Sequence, residues 1–176
     1  STSLLNKINL NTNFINNIGS TWANKIATTT WKVGGTTYKN IVESVPTVAY
    51  QNEIVAPAEN TTYDAKIGLM YATDYGFAAS PSAWTTTLYE YGGTDANGTS
   101  IKTINWMYMG YSEWTISRWS NDFYKAFTVD YYGHMNDAYL FADLAVTNGV
   151  RPSFSLSSSI TYVSGSGSMS DPILIN

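Results

Sequence analysis

The sequence predicts an α+β fold: short N-terminal helices, then small twisted antiparallel sheets joined by long irregular loops. Phe14, Ile15, Ile18, Trp22 and Ile26 recur at spacings of three and four, which places them on one helical face. Further along, short β-branched or alternating segments carry the period of two that marks half-buried strands. Between them lie clusters of Gly, Pro, Asn, Ser and Thr, whose backbone preferences favour turns.

At 176 residues the chain is the size of one domain with a single substantial core, and it reads as one domain over 1–176. Only 12% of residues are charged, with Tyr, Thr, Ser, Asn and Gly in their place, a composition typical of extracellular β-rich or loop-rich domains. A net charge of −4 with no basic run argues against nucleic acid, because phosphate binding needs concentrated Lys and Arg. The absence of cysteine excludes disulfides, thiolate catalysis and Cys-based metal sites. No apolar run is long enough to span a bilayer. The start at Ser1 reads as a processed piece of a longer precursor whose targeting segment lay upstream.

Taken in order, residues 4–26 are expected to be helical in short pieces, with Gly19 and Ser20 as a stop and a new start, and their apolar stripe is assigned to the core. Residues 28–33 read as a strand around Trp31, turning at Gly34-Gly35 into a hairpin partner at 36–42. Residues 45–50 are expected as a strand, and 65–72 as a buried one. Residues 73–77 then form a turn. Trp84, Leu88, Tyr89 and Tyr91 anchor the loop-rich stretch 78–100, with a turn at 95–98. Residues 115–117 and 126–129 are strands, 120–122 and 131–134 turns, and 138–146 a strand or short helix. Residues 160–163 form a last strand, 164–168 have linker chemistry, and the apolar terminus is expected to be tied into a sheet.

The stretch 106–156 organises the chain and closes on an alternating segment. Val150, Pro152, Phe154 and Leu156 form its apolar face, and Arg151, Ser153 and Ser155 the other. Arg151 is either a solvated rim residue or a planar fork that ties loops together through its five fixed donors; the fork is the preferred reading.

Several runs carry a family likeness. They are Ile67-Gly68-Leu69-Met70-Tyr71, Asp74-Tyr75-Gly76-Phe77-Ala78, Asn105-Trp106-Met107-Tyr108, Glu113-Trp114-Thr115-Ile116-Ser117 and Gly149-Val150-Arg151-Pro152. The closing run from Tyr162 to Ser168 with Asp171-Pro172 adds to them, as does the opening segment 10–35 with Trp31-Lys32-Val33-Gly34-Gly35. Together they resemble a family of bacterial surface domains similar to the C-type-lectin-like fold. That group includes phage and retroelement-diversified receptor-binding proteins and the formylglycine-generating enzymes. In low-GC Gram-positive bacteria such domains look like the exposed part of type IV pilin-like or other cell-surface proteins. The sequence departs from the pattern in lacking the cysteines some relatives carry around 83–105, and it does not contain a pilin's apolar helix.

The inventory argues against an enzyme, and no catalytic residue is assigned. The formylglycine-generating relatives use cysteines, and His134 is the only histidine. Gly165-Ser166-Gly167 sits in a Ser/Gly tail unsuited to holding a strained nucleophile. Trp119-Ser120-Asn121-Asp122 and Asp95-Ala96-Asn97-Gly98 fit neither a calcium-lectin nor an EF-hand pattern, so no metal and no cofactor are expected. A binding surface is assigned instead to Tyr108, Tyr111, Trp119, Tyr124, Tyr131, Tyr132 and His134, since Tyr and Trp give large contact area at low entropic cost. Trp106 and Trp114 are assigned to the core with Arg151 as a structural residue, and Trp119 and the 131–134 turn to an exposed patch. The expected function is adhesion or structural display on a Gram-positive surface or pilus-like filament. The partner would be a host or environmental glycan or a protein receptor, or like subunits in a pilin. A phage receptor-binding protein is the alternative.

Overall fold

A computed structural model describes residues 3–139 and 148–176. The architecture is α+β, with short helices and small sheets, most of them antiparallel. The chain gathers into two compact units, each assembled from separated segments. The larger comprises Trp31–Tyr63 and Leu69–Pro152, the smaller Ser1–Thr30, Asp64–Gly68 and Ser153–Asn176.

In the larger unit the antiparallel strands Glu113–Arg118, Lys125–Val129 and Met135–Tyr139 form a three-stranded sheet in sequence order. The pairing Val129↔Met135 places residues 130–134 as the hairpin turn, and a bulge falls between Trp114 and Arg118. Residues 138–139 end the third strand; the rest of the element expected at 138–146 lies outside the described residues. The sheet's Phe127, Val129 and Met135 pack with Ile41, Val42, Met70, Tyr75, Leu88, Tyr91 and Ile101 in one core. Tyr75 and Tyr91 stay hydrogen-bonded there: their hydroxyls donate to the carbonyls of Gly133 (3.1 Å) and Gly76 (2.9 Å).

Short helices replace two expected strands. Tyr38–Ile41 is helical because extended Thr37 caps it and accepts from Asn40 N–H, so 36–42 is no hairpin partner for 28–33; Val33 N–H donates instead to Thr61 O at 2.9 Å. Pro46–Tyr50 is helical because Pro46 occupies the first turn, where its fixed φ is preorganised and its missing N–H costs nothing. The helix Ala72–Phe77 takes the place of the expected 73–77 turn. It starts on a capping box in which Asp74 accepts from Tyr71 N–H at 2.8 Å. Burial lifts the Tyr71 hydroxyl pKa to about 12, against the Lys32 N–H that donates to it. Residues 67, 69, 70 and 72 are buried as expected, but strand geometry covers only Thr62–Ala65 and Gly68–Leu69.

The smaller unit begins with a π-helix, Leu5–Phe14, followed by the α-helical Ile15–Asn17 and Gly19–Ala23, with Gly19 at φ +79° marking the break. The expected core stripe is realised in part: Ile26 is buried and Phe14, Ile15 and Ile18 are half-buried, whereas Trp22 is exposed, as are Leu4 and Ile8 of the preceding apolar patch. Within Leu5–Phe14 the i→i+5 bonding of the π-helix takes more residues per turn, so a sequence repeat of 3.6 drifts off one face there. Asn11 secures this segment, donating to Ile67 O and accepting from Ile67 N–H, both at 2.9 Å. At the other end of the chain, Tyr162–Ser164 pairs antiparallel with Leu174–Ile175, which ties the terminus into a sheet. Ser166 and Gly167 N–H groups close that hairpin on Asp171 O.

The alternating segment 150–156 is not the half-buried strand expected of it. Only Pro152–Ser153 is extended in a sheet, and Val150, Phe154 and Leu156 are exposed. Pro152 lacks the N–H that would carry a ladder onward.

Candidate functional site

The most constructed exposed feature is the hairpin turn 130–134. Asp130 begins it as an Asx turn, its Oδ1 accepting from Tyr132 N–H and His134 N–H, both at 2.9 Å. Backbone bonds from Gly133 to Asp130 O and from Asp130 to His134 O close the loop. Gly133 is required: its φ is +93°, and a Cβ there would lie 3.1 Å from the Tyr75 hydroxyl. Tyr75 and Tyr108 brace the turn from below, through hydroxyl donation to Gly133 O (3.1 Å) and Tyr131 O (2.9 Å). Lys102 lies 5.9 Å over the Tyr108 ring and holds that brace in place.

The turn presents Tyr131 and Tyr132, which are 53% and 52% exposed with ring centroids 3.9 Å apart. Tyr132 raises the Tyr131 pKa through a hydroxyl hydrogen bond. His134 meets Tyr132 edge-on at 6.4 Å and stacks on Tyr89 at 5.4 Å, its Nδ1 on the Tyr89 carbonyl. Gly92 makes room for this imidazole: a Cβ there would come within 2.5 Å of the ring. Tyr89 is itself about half exposed, and its N–H is anchored on Val42 O at 2.8 Å. Tyr89, Tyr131, Tyr132 and His134 therefore form one aromatic series on a fixed backbone.

The remaining assigned residues divide. Tyr108 is a half-buried brace, and Tyr111 and Tyr124 are exposed on other loops. Trp119 does not belong to an exposed patch: it packs against the core, on Tyr38 at 5.7 Å and Phe127 at 6.4 Å, with Lys125 Nζ over its ring at 4.4 Å. Trp106 is not a core residue but 79% exposed. Trp114 is only half-buried, because the strand Glu113–Arg118 turns the opposite set inward. Glu113, Thr115 and Ser117 are its buried residues. Each inward polar group has a partner, which makes that register tolerable. Thr115 donates to Phe127 O at 2.8 Å, Ser117 to Glu53, and Arg151 donates to Glu113.

Arg151 forms a fork, with Nε and Nη2 on the two Glu113 oxygens (3.1 and 2.5 Å) and Nη2 also on Met107 O at 2.7 Å. A second fork went unrecognised in the sequence. Arg118 donates to the carbonyls of Val33 (3.0 Å), Gly34 (3.3 Å) and Trp119 (3.0 Å), and to Glu59 at 3.0 Å. Glu53 was missed too. It is 5% exposed and accepts from Ala72 N–H (3.1 Å), Thr73 N–H (3.0 Å), the Thr73 hydroxyl (2.6 Å) and the Ser117 hydroxyl. Burial pushes its pKa up, and these hydrogen bonds oppose the rise. With its lone pairs engaged in this way, Glu53 is a structural knot rather than a poised acid–base group. A solitary carboxylate between Asn52 and the apolar run Ile54-Val55-Ala56 was the available signal.

Among the described residues, no group of three or more metal-ligating side chains is assembled, and no helix is long and apolar enough to cross a membrane. Comparison with protein-family models, curated proteins and solved structures finds no match to this chain.

Proposed function

We propose that this chain is a non-catalytic extracellular domain with a C-type-lectin-like fold, displayed on a Gram-positive cell surface and working in adhesion. In a pilus-like filament it would be the exposed head of the subunit. The observation that carries the reading is the braced turn 130–134, which holds Tyr131 and Tyr132 out from a fixed backbone. Exposed aromatics on a preorganised loop give contact area without the entropic cost of ordering that loop on binding. The small sheets and long loops support the fold assignment.

Beads coated with the protein, applied to mucin-coated and epithelial surfaces, test the proposal. The wild type is expected to adhere, and Tyr131→Ala/Tyr132→Ala to adhere at least tenfold less with an unchanged melting temperature. Equal retention of both proteins, or no retention of the wild type on any surface, would sink it.

A further inference from the structure

Two shallow, open depressions share Tyr89 and Glu90 in their lining. One, of about 300 Å³, is lined by Tyr38, Glu43, Thr87, Tyr89 and Glu90. The other, of about 520 Å³, includes Thr85, Thr86, Thr94, Asp95 and His134 along with Tyr89 and Glu90. Tyr89 and Glu90 are common to both, so an extended ligand would run across the Tyr89 ring.

We infer that this double groove binds a linear, neutral oligosaccharide. The inference rests on the adhesion reading above and names its ligand class. Three observations support it. First, the Tyr89 ring is half exposed yet fixed by its stack on His134, a flat apolar platform for the C–H face of a pyranose ring. Second, the rim consists of hydroxyls and carboxylates. Thr85, Thr86 and Thr94 both donate and accept, and Glu43 and Glu90 accept from vicinal sugar hydroxyls. The Glu90 carboxylate is already oriented by the Thr87 hydroxyl at 2.9 Å. Third, among the described residues that line the grooves the charged ones are Glu43, Glu90 and Asp95, with no Lys or Arg beside them in the lining. Sialylated, sulfated or phosphorylated sugars would meet the Glu43 and Glu90 carboxylates directly. The Tyr131–Tyr132 crest, which reaches the groove through His134, supplies further stacking surface for the next sugar unit.

The test is an amide-resolved NMR titration of the whole chain with cellohexaose, maltohexaose and chitohexaose, and in parallel with sialyllactose and a chitosan hexamer. At least one neutral hexamer is expected to shift amides in 85–96 and 130–134, more tightly than its monosaccharide. Tyr89→Ala is expected to weaken that binding at least tenfold, while Tyr89→Phe, which keeps the platform, retains it. The inference is overturned if no neutral oligomer shifts these amides, if only the acidic or the cationic oligomer does, or if Tyr89→Ala binds like the wild type. Should the coated beads adhere while every neutral oligomer fails, the saccharide falls and adhesion stands; failure of both removes both.

Discussion

In the larger unit Tyr75, Tyr91, Phe127, Met70 and Leu88 are almost completely enclosed, and the polar groups among them are paired. In the smaller unit Leu4, Ile8, Trp22, Tyr162, Val163 and Leu174 remain exposed, while Leu10, Ala23, Ile26, Ala65 and Ile67 are its buried apolar residues. The two are held by different means. Burial of large side chains, each contributing about 1.5–3 kcal/mol, dominates the larger unit, with Glu53, Arg118 and Arg151 fixing how its loops meet. The smaller unit relies more on directed hydrogen bonds, such as the Asn11 amide on both backbone groups of Ile67 and Lys66 Nζ on Ala23 O at 2.5 Å. Polar residues set the register in both units, but the larger one encloses its polar groups more completely.

Glu53→Ala should break the contrast most. It strands two backbone N–H groups and two hydroxyls inside the larger unit, and the expected loss is at least about 3 kcal/mol in urea unfolding. A change under 1 kcal/mol (~1) would mean that water reaches the cluster. Arg151→Ala comes next. It leaves the buried Glu113 carboxylate without its partner at an expected cost of about 1–3 kcal/mol, and an unmoved melting temperature would reduce Arg151 to a rim residue.

Acidity sharpens the same comparison. Because burial raises the Glu53 pKa in the folded protein above the ordinary 4.5, folding favours its protonated form. That contribution is fully present below about 4.5 and is lost as the pH rises through the higher folded value. Asp95 runs the other way. The Ser82 hydroxyl and the Thr99 and Asn97 N–H groups lower its pKa, so its contribution is present above 3.8 and disappears as pH falls through the lower folded value. Unfolding curves across this range should show that Glu53→Gln removes the first component and keeps the second; identical pH profiles would contradict the assignment. The smallest effect is expected from Asn11→Ala, about 1 kcal/mol, confined to the smaller unit. Hydrogen exchange should quicken at Ile67 and leave the Phe127 and Val129 amides as they were. Uniform acceleration would show that the two units open together.

Much of this fold was legible in the sequence, and the misses share a cause. Helix at 4–26, strands at 115–117 and 126–129, turns at 95–98 and 131–134, and a paired terminus all follow from periodicity and turn chemistry acting over several residues. The helices Tyr38–Ile41 and Pro46–Tyr50 are too short for a periodic signal and depend on one cap each, Thr37 and Pro46. Around Trp114, hydropathy alone points the wrong face inward. Glu113 and Ser117 can be buried only because Arg151 and Glu53, distant in sequence, arrive to meet them. At the candidate site the sequence marked the Tyr131-Tyr132-Gly133-His134 turn but not Tyr89, whose part depends on a stacking contact across 45 positions.

The interleaving of the two units has a consequence for the order in which the chain is made. Every segment of the larger unit has been synthesised once Pro152 is in place. The smaller unit's residues 1–30 precede the larger unit, yet the smaller must wait for Ser153–Asn176 before it can close. During translation the buried Leu10, Ala23 and Ile26 therefore wait for the closing segment, where Ile26 meets Leu156 in a β-bridge. Residues 10–26 are thus the part of the smaller unit that stays open longest while it is being made.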